Sequence, residues 1–190
     1  MSDRLPDDRS AATGSAARSG PIILVGPPSS GKSTVGRSLA ERLGRTFVDV
    51  DEVIEERTGK TIGEIFASDG EPVFRELETA TTLEILAEES GVVSLGGGAV
   101  TSDAIRDALE SYQVVWLQVG IAAAAERIGL NTARPLLLGN VRGQLIKLMR
   151  ERQPLYAAVA TISLATDNRG PAELVDSIIE QLPGLRTARS

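Results

Sequence analysis

The chain has 190 residues, 42% of them apolar and 24% charged, with a formal net charge of −6. That is about one globular domain, with enough chain to bury a core without disulfides or structural metal. It contains no cysteine and no histidine, which excludes disulfides, thiolate nucleophiles, Ser-His-Asp triads and zinc sites built on those side chains; any metal must sit on oxygen ligands, which suits magnesium. The acidic balance argues against a nucleic-acid partner, and the apolar runs are too short to cross a bilayer.

Residues 1–20 have no apolar stretch of signal-peptide type, hold three aspartates and are rich in Ser, Ala and Gly. They read as a disordered tail, neither a secretory signal nor a mitochondrial transit peptide. Ile22 to Val25 is a short aliphatic run between Pro21 and Gly26 and predicts a buried strand. Lys32 to Leu43 has apolar residues at 35, 39, 40 and 43, a helical spacing, and Gly44 ends it. A second strand is predicted over Thr46 to Val50, then helices over Asp51 to Arg57 and Thr61 to Ala67. A long helix follows to Glu89, with Pro72 in its first turn, where proline is tolerated.

Gly91 to Leu95 predicts a third strand, Asp103 to Leu109 a helix, Gln113 to Val119 a fourth strand and Ala122 to Ile128 a helix. Gly129 to Asn140 reads as a loop, Val141 to Arg152 as a helix closed by Pro154, Thr161 to Ala165 as the fifth strand and Pro171 to Leu182 as the last helix. Strands alternating with helices argue for an α/β fold, a parallel sheet covered on both faces. One domain is expected over 21–184, with a short tail at 185–190.

Gly26-Pro27-Pro28-Ser29-Ser30-Gly31-Lys32-Ser33 matches the phosphate-loop pattern G-x-x-x-x-G-K-S, with a strand before it and a helix after it. Such a loop curls backbone N–H groups around a phosphate at a helix N-terminus. Lys32 then reaches the β- and γ-phosphates, and the Ser33 hydroxyl ligates magnesium. A phosphate loop implies a nucleoside triphosphate, not yet a kinase. The only strand ending in Asp is Phe47-Val48-Asp49-Val50-Asp51. Two residues apart on a strand, Asp49 and Asp51 would face the same side. One would hold the metal's water shell and the other receive an acceptor hydroxyl; the alternative is that Asp51 N-caps the next helix.

Gly96-Gly97-Gly98 follows the third strand, where open α/β sheets bind ligands, although a plain turn has the same composition. Four arginines are candidates for anion contacts. Arg75 has Glu71 and Glu78 at i−4 and i+3, so a surface ion pair also fits. Arg134 lies in a loop suited to a lid. Arg152 ends a helix, where it also suits the helix dipole, and Arg169 sits in a turn before Pro171.

Taken together, GKSTVGRSLAERLG (31–44), FVDVDEVIEERTGKTIGEIFASDGEPVFRELE (47–78), SLGGGAV (94–100), NTARPLL (131–137) and RQPLY (152–156) resemble the shikimate kinase family across nearly the whole body. The resemblance implies a three-layer P-loop kinase fold with a five-stranded parallel sheet in the order 2-3-1-4-5. It implies ATP on Ser29, Ser30, Gly31, Lys32, Ser33 and Thr34, and magnesium on Ser33 and Asp49. Shikimate would be held by Asp51, Arg75, Gly97, Gly98 and Arg152, with Lys32, Asp51 and Arg134 catalytic. Arg127, Arg134 and Arg169 match positions near the nucleotide or lid. A substrate-binding subdomain over about 51–78, a lid over about 129–140, and a cytoplasmic monomer are expected.

Many relatives carry glycine where this chain has Ser29. The rival expectations are a kinase for another acidic sugar such as gluconate, which the DVD and GGGAV segments disfavour, and an inactive nucleotide-binding regulator, which the intact Lys32, Asp49, Asp51 and Arg134 disfavour.

Overall fold

The computed structural model describes residues 20–127 and 135–182, with residues 127 and 135–142 described by their backbone. The expected tails, the Arg134 position and most of the segment before it lie outside the described residues.

Five strands, β1 (Ile22–Val25), β2 (Phe47–Asp49), β3 (Val92–Ser94), β4 (Gln113–Gln118) and β5 (Ile162–Ala165), pair in the order β2-β3-β1-β4-β5. Every pairing is parallel. The helices are α1 (Lys32–Leu43), α2 (Val50–Thr58), α3 (Ile62–Ser68), α4 (Glu71–Glu88), α5 (Asp103–Leu109), α6 (Ile121–Arg127), α7 (Pro135–Val159) and α8 (Pro171–Gln181).

The central strand β1 is buried at every position, and its side chains alternate between two cores. Ile22 and Leu24 pack with Val35 and Leu39 of α1 and Leu174 and Ile178 of α8. Ile23 and Val25 pack with Ile54 of α2, Phe74 and Ile85 of α4, Ile105 of α5 and Tyr156 of α7. This two-sided burial explains the unbroken aliphatic run, and each fully buried Leu or Ile contributes roughly 1.5–3 kcal/mol. Since all strands run in parallel, their C-terminal ends meet along one edge. There the phosphate loop follows β1, Asp49 ends β2 and the three glycines follow β3.

Local sequence accounts for the helix ends. The N–H of Gly44 at the end of α1 reaches the carbonyls of Ala40 and Glu41. Thr61 and Glu64 form a reciprocal capping box at the start of α3.

Two expectations are corrected. Strand β2 stops at Asp49, and Val50 and Asp51 open α2, so Asp49 and Asp51 are not two strand residues facing one side. Asp49 is the cap, its Oδ1 accepting from the Asp51 N–H at 3.1 Å, and the capping role considered for Asp51 therefore falls to Asp49. The loop expected to Asn140 and the stop expected at Pro154 both give way to one 25-residue helix, Pro135–Val159. Pro135 occupies its first position, where a missing N–H costs nothing. Pro154 forfeits one intrahelical bond, but Tyr156 just beyond it is buried against the core, and that packing carries the helix through.

Candidate active site

The phosphate loop turns from β1 into α1 through two residues with positive φ, Ser29 at 61° and Gly31 at 91°. Gly31 is the N-cap of α1 and supplies no side-chain cap, leaving the first turn of the helix to be satisfied by something else. Ser30 Oγ is buried without a partner. Both observations fit a bound anion of the size the loop pattern predicts. The Lys32 ammonium donates to the carbonyls of Gly26 and Pro27 at 3.0 Å each. Burial pushes its pKa down to about 8, against the opposing pull of Asp51 and Asp49.

Asp49 joins the loop to the next strand. Ser33 Oγ donates to Asp49 Oδ2 at 2.7 Å while Asp49 Oδ1 caps α2. Among the described residues there is no group of three or more Asp or Glu that could cage a metal ion. A cation at Ser33 and Asp49 would therefore complete its shell with phosphate oxygens and water, which is how magnesium is usually held beside nucleotides.

Asp51, in the first turn of α2, is largely buried, and its Oδ1 has no hydrogen-bond partner. Its pKa is pushed up to about 6, first by burial and then by the negative charges of Asp49 and Glu78, with Lys32 opposing. Glu78 on α4 is 2% exposed, and its Oε1 is likewise unpartnered. Burial raises its pKa despite the hydrogen bond from Arg75.

The triple glycine receives these groups, and each glycine answers to a different neighbour. A Cβ on Gly96 would lie 2.4 Å from Glu78 Oε1 and 2.8 Å from Asp51 Oδ1, so the two orphan carboxylate oxygens converge on that residue. A Cβ on Gly97 would lie 3.0 Å from the Pro28 ring, which brings the glycine turn against the phosphate loop. A Cβ on Gly98 would meet the Arg75 guanidinium at 2.2 Å. The turn is thus a close-approach surface for three other elements.

Arg75 donates from Nη1 to Glu78 Oε2 at 2.5 Å and from Nη2 to Glu71 Oε1 at 3.2 Å, and stands 5.1 Å from the Phe74 ring centre and 5.9 Å from that of Phe66. The Glu71 bond is the surface pair the helical spacing predicts. The Glu78 bond is not, because Glu78 is buried. On the far side of the turn, Arg152 Nη1 donates to the Gly97 carbonyl at 2.9 Å, and Tyr156 Oη donates to the same oxygen at 2.5 Å. Two guanidinium groups therefore flank the turn, each held in place yet with donors to spare.

A cavity of about 410 Å³ is lined by Ser29, Ser30, Gly31, Thr34, Thr166, Arg169 and Pro171 among others, between the phosphate loop and the start of α8. Arg169 lines it but sends Nη2 to Ser177 Oγ and to the Glu173 carbonyl. Arg127 is the last residue of α6.

The structure thus brings Lys32, Ser33, Asp49, Asp51, Arg75, Gly97, Gly98 and Arg152 to one edge of the sheet. Glu78 and Tyr156 were not singled out from the sequence as site residues. A signal existed for each: Glu78 sits on the apolar face of α4 with Phe74, Thr81, Thr82 and Ile85, where a charge needs a reason, and Tyr156 stands four residues after Arg152, on the same helix face.

The family model for shikimate kinase matches residues 28–183. The chain is 50% identical over 161 residues to a shikimate kinase from Thermobifida fusca, an alignment covering 85% of this chain and 94% of the relative. It is 52% identical over 167 residues to one from Saccharopolyspora erythraea, covering 87% and 95%. Among solved structures it superposes with a TM-score of 0.78 and 39% identity on the shikimate kinase from Acinetobacter baumannii in complex with shikimate, covering 85% of this chain and 91% of that one. A gluconokinase from Sinorhizobium meliloti shares the fold at a TM-score of 0.53 and 23% identity, covering 87% and 91%. With the family model spanning most of its length and about half of the aligned residues identical to those of such enzymes, this chain belongs to the shikimate kinase family.

Proposed function

We propose that this chain transfers the γ-phosphoryl group of ATP to the 3-hydroxyl of shikimate, giving shikimate 3-phosphate and ADP on the route to chorismate and the aromatic amino acids. The observation that carries this reading is the convergence on one glycine turn of an unpartnered, buried Asp51 carboxylate oxygen, two flanking arginines and a phosphate loop whose helix has no side-chain cap.

Arg75 and Arg152 hold the substrate carboxylate. A guanidinium offers two parallel N–H groups, so the pair fixes orientation as well as affinity. Gly97 and Gly98 lie between them and let the ring approach the backbone. Asp51 receives the hydroxyl proton as the substrate oxygen bonds to phosphorus and ADP departs; its raised pKa suits a group that must take up a proton near neutrality. Lys32 leaves the Gly26 and Pro27 carbonyls to meet the phosphates, and its charge, with that of Arg134, offsets the charge developing on the transferred group. ATP supplies the phosphoryl group; Ser33 and Asp49 would hold magnesium, which when bound would supply charge withdrawal from the phosphate oxygens. Ser29, Ser30, Gly31 and Thr34 line the remainder of the nucleotide site, with Arg127 and Arg169 toward the base. Positioning is the main contribution of such a site, since in-line phosphoryl transfer asks the protein for little covalent chemistry.

In this reading residues of about 51–78 form the substrate-binding subdomain, the segment around 129–140 serves as a lid that excludes water, and the enzyme works as a cytoplasmic monomer. Among the described residues no helix is long and apolar enough to cross a membrane.

The test is a coupled ADP-release assay with shikimate, gluconate and AMP as competing acceptors. Saturable release with shikimate alone is the expected result. Equal or faster release with gluconate would transfer the assignment to the rival acidic-sugar kinase, and no release with any acceptor would return it to an inactive nucleotide-binding regulator.

A further inference from the structure

The Gly96–Gly98 turn has no side chains of its own with which to hold a conformation, and glycine loses more backbone freedom on ordering than any other residue. Something outside the turn must fix it. The backbone bonds from Ala99 N to the Gly96 carbonyl and from Thr101 N to the Gly98 carbonyl pin its two ends. The middle carbonyl, that of Gly97, is instead held by two side chains of α7, Arg152 at 2.9 Å and Tyr156 at 2.5 Å.

These two donors are not equivalent. Arg152 is half-buried, and an incoming carboxylate would compete with the Gly97 carbonyl for its guanidinium. Tyr156 is 1% exposed. Its ring stacks on Trp116 of β4 with centroids 5.9 Å apart and planes 26° from parallel, and Trp116 is itself part of the same core. The Tyr156 hydroxyl is therefore fixed to the sheet and cannot follow the substrate.

We propose that Tyr156 is a positioning residue for the carboxylate-bearing substrate: by donating to the Gly97 carbonyl from a ring stacked on Trp116, it holds the glycine turn in its binding conformation and frees Arg152 to engage the substrate. This rests on the shikimate reading above and adds a residue to it. The phenol has no proton-transfer role here. Burial pushes its pKa up to about 12, so it remains a donor at any working pH.

The chemistry separates this role from a purely structural one. Tyr156→Phe keeps the ring, its burial and its stacking on Trp116, and removes the hydroxyl's hydrogen bonds, to a Gly97 carbonyl that still has Arg152 and with the Arg152 side chain. Losing a bond of this kind corresponds to about a three- to tenfold weaker interaction. The expected outcome is a rise of about that size in the KM for shikimate, and in its Kd measured by calorimetry without nucleotide. The KM for ATP and the Tm should stay near wild type, and no new limb should appear in the pH–rate profile.

An unchanged KM and Kd for shikimate would overturn the proposal. So would a fall in Tm with both KM values rising together, which would reassign Tyr156 to core stability. If the variant yields too little folded protein for these measurements, Trp116→Phe serves instead. It leaves the hydroxyl in place but weakens its backing, and is expected to raise the KM for shikimate more than that for ATP; equal changes in the two would overturn the proposal. Wild-type protein measured alongside keeps the two readings apart: wild type that neither binds nor phosphorylates shikimate refutes the function, whereas a wild type that does both, with a variant indistinguishable from it, refutes the role of Tyr156 alone.

Discussion

Asp51 and Glu78 present their unpartnered carboxylate oxygens, Oδ1 and Oε1, to the same small volume above Gly96, where a single added Cβ would lie within 3 Å of both. Two buried carboxylates so close cannot both ionise without cost, and both have their pKa raised. The pair is the feature of the site from which its pH behaviour follows.

Burial and the neighbouring carboxylates push the Asp51 pKa up to about 6, and burial pushes that of Lys32 down to about 8. Proton transfer to Asp51 requires its ionised form, and phosphate binding by Lys32 its protonated form. The kcat/KM for shikimate is therefore expected to fall as pH drops through about 6, and that for ATP to fall as pH rises through about 8. Steady-state rates from pH 5 to pH 9 check both limbs. A flat profile for shikimate across the acid range would remove Asp51 as the proton acceptor.

The same shift has a consequence for stability. A carboxyl whose folded pKa lies above its ordinary 3.8 favours folding most when protonated. That contribution is complete below about pH 4 and is lost as pH rises through about 6. At pH 7.5, Asp51→Asn should therefore be more stable than wild type, on the order of 2 kcal/mol, while phosphoryl transfer falls at least a hundredfold. Thermal melts of the two proteins at pH 5 and pH 7.5 provide the check: the stability gap should close toward the acid side. A less stable Asn variant at pH 7.5 would show that the carboxylate is satisfied in a way its isolated Oδ1 denies.

Glu78→Gln tests the coupling between the two carboxylates. Removing one negative charge beside Asp51 should move the acid limb of kcat/KM to lower pH. Arg75 keeps an oxygen acceptor, so the KM for shikimate should rise less than in Glu78→Ala, where the guanidinium loses its buried partner. An acid limb that stays in place would mean that the two carboxylates do not sense each other.

Gly98→Ala and Gly91→Ala contrast two kinds of close approach. A methyl at Gly98 would strike the Arg75 guanidinium at 2.2 Å, and that side chain is pinned by Glu78, Glu71 and Phe74. The arginine should be displaced and the fold retained, with the KM for shikimate rising about tenfold or more. A methyl at Gly91 would strike the backbone oxygen of Thr46 at 2.3 Å, where nothing can yield. That variant should lose stability without a selective effect on either substrate. Melting curves beside both KM values separate the two, and a Gly98→Ala enzyme with normal shikimate KM would remove Arg75 from the site.

Ser29 occupies the left-handed region at a φ of 61°, a conformation that costs a residue with a Cβ about 1 kcal/mol or more. Ser29→Gly should leave the KM for ATP unchanged and raise Tm by up to about 3 °C. A Tm several degrees lower would show that the serine side chain contributes more to the loop than its backbone strain costs.

How much of this was legible without the fold differs from residue to residue. The phosphate loop was, because eight consecutive residues, Gly26 to Ser33, carry the chemistry and their flanks show the required strand and helix. The alternation of strands and helices was legible for the same local reason, with the boundary at Asp49 and the length of α7 misread. Period-2 and helical patterns blur over a three-residue strand, and a proline at either end of a helix reads as a stop even where packing overrides it.

The amino-acid order by itself determined a nucleotide-binding α/β domain without histidine or cysteine chemistry, and its resemblance to known sequences pointed to the family. Only the tertiary structure decided that Glu78 is buried rather than on the surface, that Asp49 caps α2 and bonds Ser33 while Asp51 is left with a free oxygen, and that Tyr156 and Arg152 share one carbonyl of the glycine turn. The physical reason is range. Caps, turns and periodicities are written in neighbouring residues, whereas the site depends on a sheet order that sets β3 between β2 and β1 and so draws the side chains of positions 51, 78 and 156 to the backbone of the glycine turn.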